Sequence, residues 1–296
     1  MLKEKQKGII IKSIAGFYYI EAGASVFECR AKGRFRIGGK EPLTGDNVFF
    51  EILQDGKGVV SEIVDRKNEL VRPPLANIER LYIVMSMESP RPNLLVTDKL
   101  IAIAEEREIE PVIVLNKCDL ADFTEINDIY STAGFETHVV SCKDGTGIEQ
   151  LRKSFCRGIN AFTGNSGVGK SSIMNLIDPS LALKTGEISQ KLGRGRHTTR
   201  CSELFSLGDG VYLADTAGFS SVELAGSESV PKENLAFDFR EFAPALGRCR
   251  FTSCSHTGDK GCAVAELVDA GIIPLSRYEN YKLLYNDVKD VKEWEK

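Results

Sequence analysis

Short apolar runs alternate with polar and turn residues over roughly the first seventy positions, without a long helical period. This pattern predicts short strands separated by turns at Gly38-Gly39, Thr44-Gly45-Asp46 and Asp55-Gly56. The predicted strands cover residues 8–12, 17–20, 25–30, 47–53 and 58–64. About five such strands are typical of a small barrel of the oligonucleotide-binding (OB) type, which we expect over residues 1–70. Val71-Arg72-Pro73-Pro74 then predicts a stiff break and a domain boundary.

From residue 78 the apolar runs become longer and alternate with helical periods. Continuous apolar runs predict buried strands, and a three- and four-residue apolar spacing predicts helices over residues 98–108 and 171–177. The buried strands are predicted over residues 81–87, 111–115, 138–142, 159–163 and 211–214. This alternation indicates an α/β domain over residues 71–225, with a mainly parallel sheet and helices on both faces. Ligands of such sheets lie at the carboxyl ends of the strands.

A glycine-rich loop joins the strand over residues 159–163 to the helix that follows it. Two of its glycines are five residues apart and Lys170-Ser171 follows, which is the spacing of a phosphate-binding loop. Its backbone N–H groups can surround a polyphosphate at the start of the helix. We expect Lys170 to contact the β- and γ-phosphates and Ser171 to ligate Mg²⁺. The predicted nucleotide contacts are Gly164, Asn165, Ser166, Gly167, Val168, Gly169, Lys170, Ser171 and Ser172.

A second motif, Asn116-Lys117-Cys118-Asp119, follows the strand over residues 111–115. The Asp119 carboxylate can accept two hydrogen bonds from guanine that adenine cannot donate, so we predict a guanine site. Lys117 would cover the face of the base, and Asn116 would tie this loop to the phosphate loop. Ser141-Cys142-Lys143 follows the next strand and is expected to support the same base through backbone N–H groups. Such a short motif also arises by chance in polar turns, so the prediction depends on all these elements meeting in one sheet.

Asp215-Thr216-Ala217-Gly218 follows the strand over residues 211–214. We expect Asp215 to hold Mg²⁺ through water and the Gly218 amide to sense the γ-phosphate. A threonine between the phosphate loop and this motif is the predicted second metal ligand, and Thr199 is favoured over Thr198.

These motifs stand in an unusual order, because the guanine motif precedes the phosphate loop by 48 residues. A circular permutation, in which the same sheet is opened at a different connection, accounts for this order. The nucleotide-sensing loop then leads directly to the C-terminal domain, so we expect the nucleotide state to position that domain. Phe219 stands where a Ras-type enzyme has its water-orienting glutamine, so intrinsic hydrolysis is expected to be slow. His197 is the predicted catalytic residue, with phosphate or RNA contact alone as the alternative.

Three cysteines and one histidine fall within fourteen residues, in the pattern Cys249-x4-Cys254-x-His256-x5-Cys262. Three thiolates and one imidazole fill a closed tetrahedral shell, so we predict one structural Zn²⁺ rather than an open catalytic site. Ser276-Arg277-Tyr278-Glu279 predicts a capping box at the start of a final helix that packs on the body. The apolar stripe of that helix is Tyr278, Tyr281, Tyr285, Val288 and Val291. We expect a helical zinc-binding domain over residues 226–296.

Composition changes this picture only in part. The 296 residues are 42% hydrophobic and 27% charged, with a net charge of −4 and eight cysteines. The first residues are charged and no apolar run approaches the roughly 20 residues of a membrane span, so we expect no membrane contact, a cytoplasmic location and reduced thiols. Two basic patches stand against the acidic average, each either an RNA contact or a solvated loop. They are Arg30, Lys32, Arg34, Arg36 and Lys40 around Phe35, and Lys191, Arg194, Arg196 and Arg200.

Taken together, the motifs resemble those of the ribosome small-subunit-dependent GTPase A family, the circularly permuted GTPases also called YjeQ or RsgA. The resemblance covers the barrel, residues 116–119, 164–172, 193–199 and 215–219, and the cysteine–histidine pattern. It implies a barrel, a permuted GTPase domain and a zinc domain, with GTP or GDP and Mg²⁺ as ligands. It also implies late binding to the small ribosomal subunit, rRNA contact by the outer domains, and GTP hydrolysis that the subunit stimulates.

The resemblance further implies that Phe219 replaces the usual glutamine and that His197 is a catalytic candidate. One departure is Ala217, where the family commonly has proline, and it bears on the stiffness of the loop rather than on the magnesium role of Asp215. We expect the chain to act as a monomer.

Three other functions stay open on the sequence. The first is a permuted GTPase of the large subunit, against which the barrel and the cysteine–histidine pattern argue. The second is a nucleotide-gated RNA-binding scaffold with negligible turnover. The third is a small-molecule kinase, which would need an acceptor pocket and a catalytic base that the sequence does not identify.

Overall fold

The computed structural model of the chain describes residues 5–33, 35, 41–53, 56–183, 203–216 and 230–290. In chain order these residues form a β-barrel, a six-stranded sheet with helices, and a helical part that carries the cysteine cluster. Among the helices described, none has the length and apolar character that crossing a bilayer requires.

Strands β1 to β5 close a barrel with the neighbour order β1-β2-β3-β5-β4. Their bounds are β1 Lys5–Ile14, β2 Phe17–Ala22, β3 Ser25–Ala31, β4 Asn47–Ile52 and β5 Gly58–Ile63. Neighbouring strands are antiparallel except β3 and β5, which are parallel. Alternate residues point inward, and the core contains the fully buried Ile10, Ile20, Val48, Phe50 and Val60. All five predicted strands are confirmed, and β1 extends beyond its predicted ends.

The predicted break at residues 71–74 is the turn of a short hairpin, formed by β6 (Glu69–Val71) and β7 (Pro74–Ala76). Leu70 and Leu75 in this hairpin are fully buried in the core of the sheet that follows. The segment is therefore packed structure rather than a free linker. Its strands were too short to produce a period-two pattern in the sequence.

Six strands form one sheet with the order β10-β9-β8-β11-β13-β12. Their bounds are β8 Ile78–Ser86, β9 Glu110–Asn116, β10 Glu136–Val140, β11 Gly158–Thr163, β12 Leu204–Gly208 and β13 Val211–Asp215. All neighbours are parallel except β12, an edge strand antiparallel to β13. The mainly parallel sheet is confirmed. The strand predicted over residues 138–142 lies two residues earlier. Strand β10 ends at Val140, so Ser141 and Cys142 lie in the loop beyond it.

Four helices cover the two faces of this sheet: α1 Leu94–Glu106, α2 Thr124–Thr132, α3 Ile148–Lys153 and α4 Lys170–Ile177. On one face of the sheet Ile83 packs in a core with residues of α1 and α2. On the other face Tyr82 and Val84 pack with residues of α3 and α4. Helix α1 begins four residues before its predicted start, because the Asn93 side chain caps it by accepting a hydrogen bond from Val96 N at 3.2 Å.

The C-terminal part contains a short 3₁₀ turn, Arg240–Phe242, and the helices α5 (Ala263–Asp269) and α6 (Leu275–Val288). Tyr278, Tyr281 and Val288 are buried, so the predicted packing of the last helix is confirmed. The predicted capping box is wrong. Helix α6 begins at Leu275 directly after Pro274 without a side-chain cap, and Ser276 lies inside its first turn.

Candidate functional site

The loop between β11 and α4 needs glycine at two positions for steric reasons. Gly164 has φ +138°, and a Cβ there would lie 2.3 Å from Val84 O. Gly169 has φ +99°, and a Cβ there would lie 2.2 Å from the Asn116 side-chain nitrogen. Only glycine combines this backbone conformation with such close approach. The loop therefore presents its backbone to whatever lies in front of it, as a phosphate site requires.

Lys170 is the first residue of α4, and its ammonium group is directed back over the loop. Its Nζ donates hydrogen bonds to Gly164 O at 2.8 Å and Asn165 O at 3.1 Å. Burial lowers the pKa of Lys170 from its ordinary value, while the charge of Asp215 acts in the opposite direction. A cation held at the N-terminus of a helix is complementary to phosphate oxygens. Ser166, Gly167 and Val168 complete the loop, and Ser171 and Ser172 lie in the first turn of α4.

Ser171 and Asp215 meet across 44 residues of sequence, because β11 and β13 are adjacent parallel strands with their carboxyl ends together. Ser171 Oγ donates to Asp215 Oδ2 at 3.1 Å. The other oxygen, Asp215 Oδ1, is buried and has no hydrogen-bond partner among the described residues. A hydroxyl beside a carboxylate with a free buried oxygen suits a hard cation such as Mg²⁺.

Asn116 joins the predicted base-binding loop to the phosphate loop. It ends β9 and is almost completely buried, and its Nδ2 donates to Val168 O at 2.7 Å. The predicted tie between the two loops is therefore confirmed. Cys142 Sγ lies 3.6 Å from Asn116 Oδ1 on the other side, so the same amide also contacts the 141–143 loop.

Asp119 is held in place by the loop after β10. Ser141 Oγ donates to Asp119 Oδ1 at 2.7 Å, and Lys143 Nζ lies 3.8 Å from Asp119 Oδ2. The Cys118 amide donates to Val140 O at 3.3 Å, which fixes the start of the loop. Both predicted base-binding segments thus lie side by side at the carboxyl edge of the sheet.

Lys117 makes contacts that the sequence did not predict. It has φ +62°, and its Nζ donates to Glu88 O at 3.1 Å, Ser89 O at 2.5 Å and Gly167 O at 3.1 Å. Residues 88–93, which lead from β8 to α1, are therefore part of the site. Their position at the carboxyl end of β8 could have indicated this role. Residue type could not, because every residue has a backbone carbonyl.

The predicted metal ligands Cys249, Cys254, His256 and Cys262 come together, and their ligand atoms all lie within 4.8 Å of one another. His256 Nδ1 is 3.5 Å from Cys249 Sγ and 3.6 Å from Cys262 Sγ. A tetrahedral Zn²⁺ with ordinary Zn–S and Zn–N bond lengths requires a separation of about 3.6 Å. Burial lowers the pKa of His256, which favours the neutral imidazole that binds metal. The four residues fit a closed zinc site.

Several predicted residues lie outside the described part of the chain: His197, Thr198, Thr199, Gly218 and Phe219, together with the second basic patch. Of the first basic patch, Arg30 stacks on Phe17 at 4.6 Å, and Lys32 Nζ is 3.2 Å from Glu51 Oε1. Phe35 packs against the barrel core. Arg34, Arg36 and Lys40 fall outside the described residues.

Comparison with protein-family models matches residues 63–225 to the RsgA GTPase and residues 7–60 to the RsgA N-terminal domain. A small ribosomal subunit biogenesis GTPase RsgA of Caldanaerobacter subterraneus is 43% identical over 290 residues, with 97% of each chain covered. The protein of the same description from Enterococcus faecalis is 44% identical over 281 residues, with 93% of each covered.

Two solved structures have the same fold. YjeQ from Thermotoga maritima superposes with a TM-score of 0.83 and 30% identity, covering 98% of this chain and 100% of that one. YloQ, described as a circularly permuted GTPase, gives a TM-score of 0.79 and 30% identity over 98% of this chain and 96% of its own.

Proposed function

The chain belongs to the RsgA GTPase family, and from this membership we propose that it is a GTPase that binds the small ribosomal subunit and assists its late maturation. It hydrolyses GTP to GDP and phosphate, and the subunit stimulates this reaction. The observation that carries the proposal is the 2.7 Å hydrogen bond from Asn116 to Val168 O. This bond joins a guanine-reading loop to a phosphate loop that comes later in the chain, so both can contact a single nucleotide.

Guanine selection rests on Asp119. Its carboxylate, oriented by Ser141 Oγ at 2.7 Å, can accept hydrogen bonds from the ring N–H and the exocyclic amine of guanine. Adenine has no such pair of donors and would leave the carboxylate unpaired. A site of this kind can prefer guanine over adenine by about 10⁴-fold. Lys117 borders the base, and residues 141–143 support it through backbone N–H groups.

Phosphate binding rests on residues 164–172. The loop amides and the Lys170 ammonium would contact the β- and γ-phosphates, and Ser171 and Asp215 would hold Mg²⁺. When bound, Mg²⁺ supplies positive charge that neutralises the phosphate oxygens. Thr199 would be the second metal ligand, with Thr198 as the alternative, and Gly218 would contact the γ-phosphate. His197 orients the attacking water, a role supported by the apolar Phe219 in the place of a glutamine.

The outer parts of the chain contact rRNA. The barrel carries the basic patch around Phe35, and the C-terminal part is organised by one structural Zn²⁺ on Cys249, Cys254, His256 and Cys262. We place this activity in the cytoplasm, where small subunits mature, and in a monomer.

GTP turnover measured with and without purified small subunits tests the proposal. We expect slow turnover alone, strong stimulation by small subunits, none by large subunits, and weak competition by ATP. Guanine binding without any stimulation would favour the RNA-binding scaffold instead. Equal binding of ATP and GTP would overturn the guanine assignment, and Asp119→Ala should abolish the preference for GTP.

The role of His197 has its own test. His197→Ala should reduce subunit-stimulated turnover about 10²-fold or more, because positioned catalytic groups contribute on that scale. GTP affinity and co-sedimentation with the subunit should stay unchanged. A variant with normal stimulated turnover would remove His197 from the mechanism.

A further inference from the structure

A completely buried arginine joins the C-terminal helix to the GTPase sheet. Arg277 on α6 is fully buried and donates to Asp98 Oδ1 on α1 at 2.7 Å. It also donates to Glu241 Oε1 at 2.7 Å and Oε2 at 3.1 Å, and its guanidinium lies 4.4 Å from the Phe239 ring centroid. Every face of this cation is therefore occupied by protein.

Asp98 accepts further hydrogen bonds from residues on both sides of the same interface. It is almost completely buried, and it accepts hydrogen bonds from Asn280 Nδ2 of α6 at 2.6 Å and from Tyr130 Oη of α2 at 2.9 Å. One carboxylate thus binds α6, α1 and α2 together. A buried ionic group of this kind gives little net stability compared with apolar packing, but its directional bonds fix geometry. We refer to Arg277, Asp98, Glu241, Asn280 and Tyr130 as the interdomain clamp.

Helix α1 connects the clamp to the phosphate loop. Thr97, the neighbour of Asp98, lines a small cavity together with Val96, Gly164 and Val168. Before the helix, Pro90 Cδ would lie 3.7 Å from a Cβ placed on Gly167. The first turn of α1 and the residues that precede it therefore form one wall of the phosphate loop.

The clamp also reaches the base-binding loop by two routes. Glu88 O and Ser89 O, just before α1, accept two of the hydrogen bonds of Lys117 Nζ. Helix α2, which contributes Tyr130, begins at Thr124, soon after the loop that ends with Asp119. Displacement of α1 or α2 must therefore move groups that contact both ends of the nucleotide site.

We propose that the interdomain clamp is a positioning device, through which the docked C-terminal domain holds α1 and α2 in the arrangement that binds the nucleotide. This inference rests on the proposed function, because it takes the site at residues 116–119 and 164–172 to hold a guanine nucleotide. Linkage makes the coupling reciprocal. A partner that pulls the C-terminal domain away from α1 weakens nucleotide binding, and bound nucleotide strengthens the docking of that domain.

Two variants on α6 and one matched control test the clamp in the full chain. Arg277→Lys keeps the charge but cannot bond Asp98 and Glu241 together, and Asn280→Ala removes one bond to Asp98. Tyr281→Phe, at the next position, removes the bond from Tyr281 Oη to Ser255 O at 2.8 Å, which stays within the C-terminal part. The readouts are GDP affinity, measured with a fluorescent GDP at a temperature where every variant is folded, and hydrogen exchange of residues 88–97.

We expect Arg277→Lys to weaken GDP binding about fivefold or more and Asn280→Ala about twofold to threefold, with faster exchange in both, on the scale typical of coupling between sites. Tyr281→Phe should lower thermal stability without changing affinity or exchange in that segment. Unchanged or tighter GDP binding by the two clamp variants would overturn the inference. Should Arg277→Lys not fold, Asn280→Ala alone decides. Failure of the wild-type protein to bind GDP would instead contradict the proposed function.

Discussion

At the scale of single residues, the proposed nucleotide site depends on positions where only glycine fits. Gly169 is the clearest case, because any Cβ there would press on the amide of Asn116, which holds the two nucleotide loops together at 2.7 Å. The requirement comes from a neighbour as well as from the backbone, since φ is +99°. Steric and conformational requirements of this kind can be separated experimentally.

Gly169→Ala should weaken GDP binding about tenfold or more, because loss of a buried hydrogen bond and displacement of the loop cost about 1–3 kcal/mol. Gly208→Ala is the matched control, with φ +90° and no atom within 4 Å of the added Cβ. Both variants should lose about 1 kcal/mol of stability to backbone strain. Titration calorimetry should find normal affinity in the control only, and equal affinity in both would refute the steric argument.

Asp238 is a residue whose charge state affects stability. Its Oδ2 is buried without a hydrogen-bond partner among the described residues. Burial first, and then the charges of Glu106 and Glu105 at the end of α1, raise its pKa from the ordinary value to about 8. Those two glutamates are themselves bonded to Asn234 and Arg240, at 3.1 Å and 2.8 Å. The native protein therefore retains a proton here that the unfolded chain releases above about pH 4.

Stability linked to Asp238 is fully present below about pH 4 and declines as the pH rises towards the native pKa. Asp238→Asn, which cannot ionise, should remove this decline and raise the unfolding free energy at pH 8 by an amount on the order of 2 kcal/mol. The gain should shrink towards pH 5 in urea unfolding. Asp287→Asn, at an exposed position on α6, is the control and should behave like wild type. A gain that is independent of pH would contradict the argument.

At the scale of elements, the strands and helices that have a continuous apolar pattern could be predicted from the sequence. Runs such as residues 81–87 and 111–115 could be identified as buried strands because parallel strands are apolar on both faces. The edge strand β12, the hairpin β6–β7 and the short helix α3 had no such pattern and were missed. Helix starts depend on local groups, Asn93 for α1 and Pro274 for α6, and the apolar pattern did not predict them. The contacts of Lys117 could not be predicted either, because they involve backbone carbonyls that any residue carries.

The cysteine–histidine cluster is the proposed zinc site, and a variant of one ligand tests it. Cys249→Ser should remove one zinc ion per chain and lower the unfolding free energy by about 2 kcal/mol or more, because zinc binding contributes directly to folding. The effect should reach α5 and α6, since the Ala263 amide donates to Cys249 Sγ at 3.3 Å and Tyr281 Oη contacts Ser255 O. Zinc content is measured by atomic emission, with Cys156→Ser as the control outside the cluster. Full zinc content in Cys249→Ser would exclude this ligand.

At the scale of the whole molecule, polar contacts join the barrel to the part of the chain that forms the sheet. Lys12 Nζ lies 2.9 Å from Glu203 Oε1, Tyr212 Oη donates to Glu21 Oε1 at 2.5 Å, and Asn77 Nδ2 donates to Gly45 O at 3.0 Å. Glu203 directly precedes β12 and Tyr212 lies on β13, which ends at Asp215 in the predicted nucleotide-sensing loop. This arrangement could not be predicted from the sequence, because the contacting residues are far apart in the chain and ordinary in type.

Arg66, between β5 and β6, makes further polar contacts with the barrel and with β6. Its guanidinium donates hydrogen bonds to the fully buried Asp46 from Nε at 2.7 Å and from Nη2 at 2.9 Å, and it also donates to Glu69 and to Glu41 O. Arg66→Ala should therefore lower the unfolding free energy by about 3–5 kcal/mol, because it leaves the buried Asp46 side chain without its main partner. Arg152→Ala, at an exposed position on α3, should cost less than about 0.5 kcal/mol. Asp46→Asn in the Arg66→Ala background should restore part of the loss, since the amide needs no counter-charge. A loss below about 1 kcal/mol in urea unfolding of Arg66→Ala would contradict this argument and mean that the Arg66–Asp46 pair contributes little to stability.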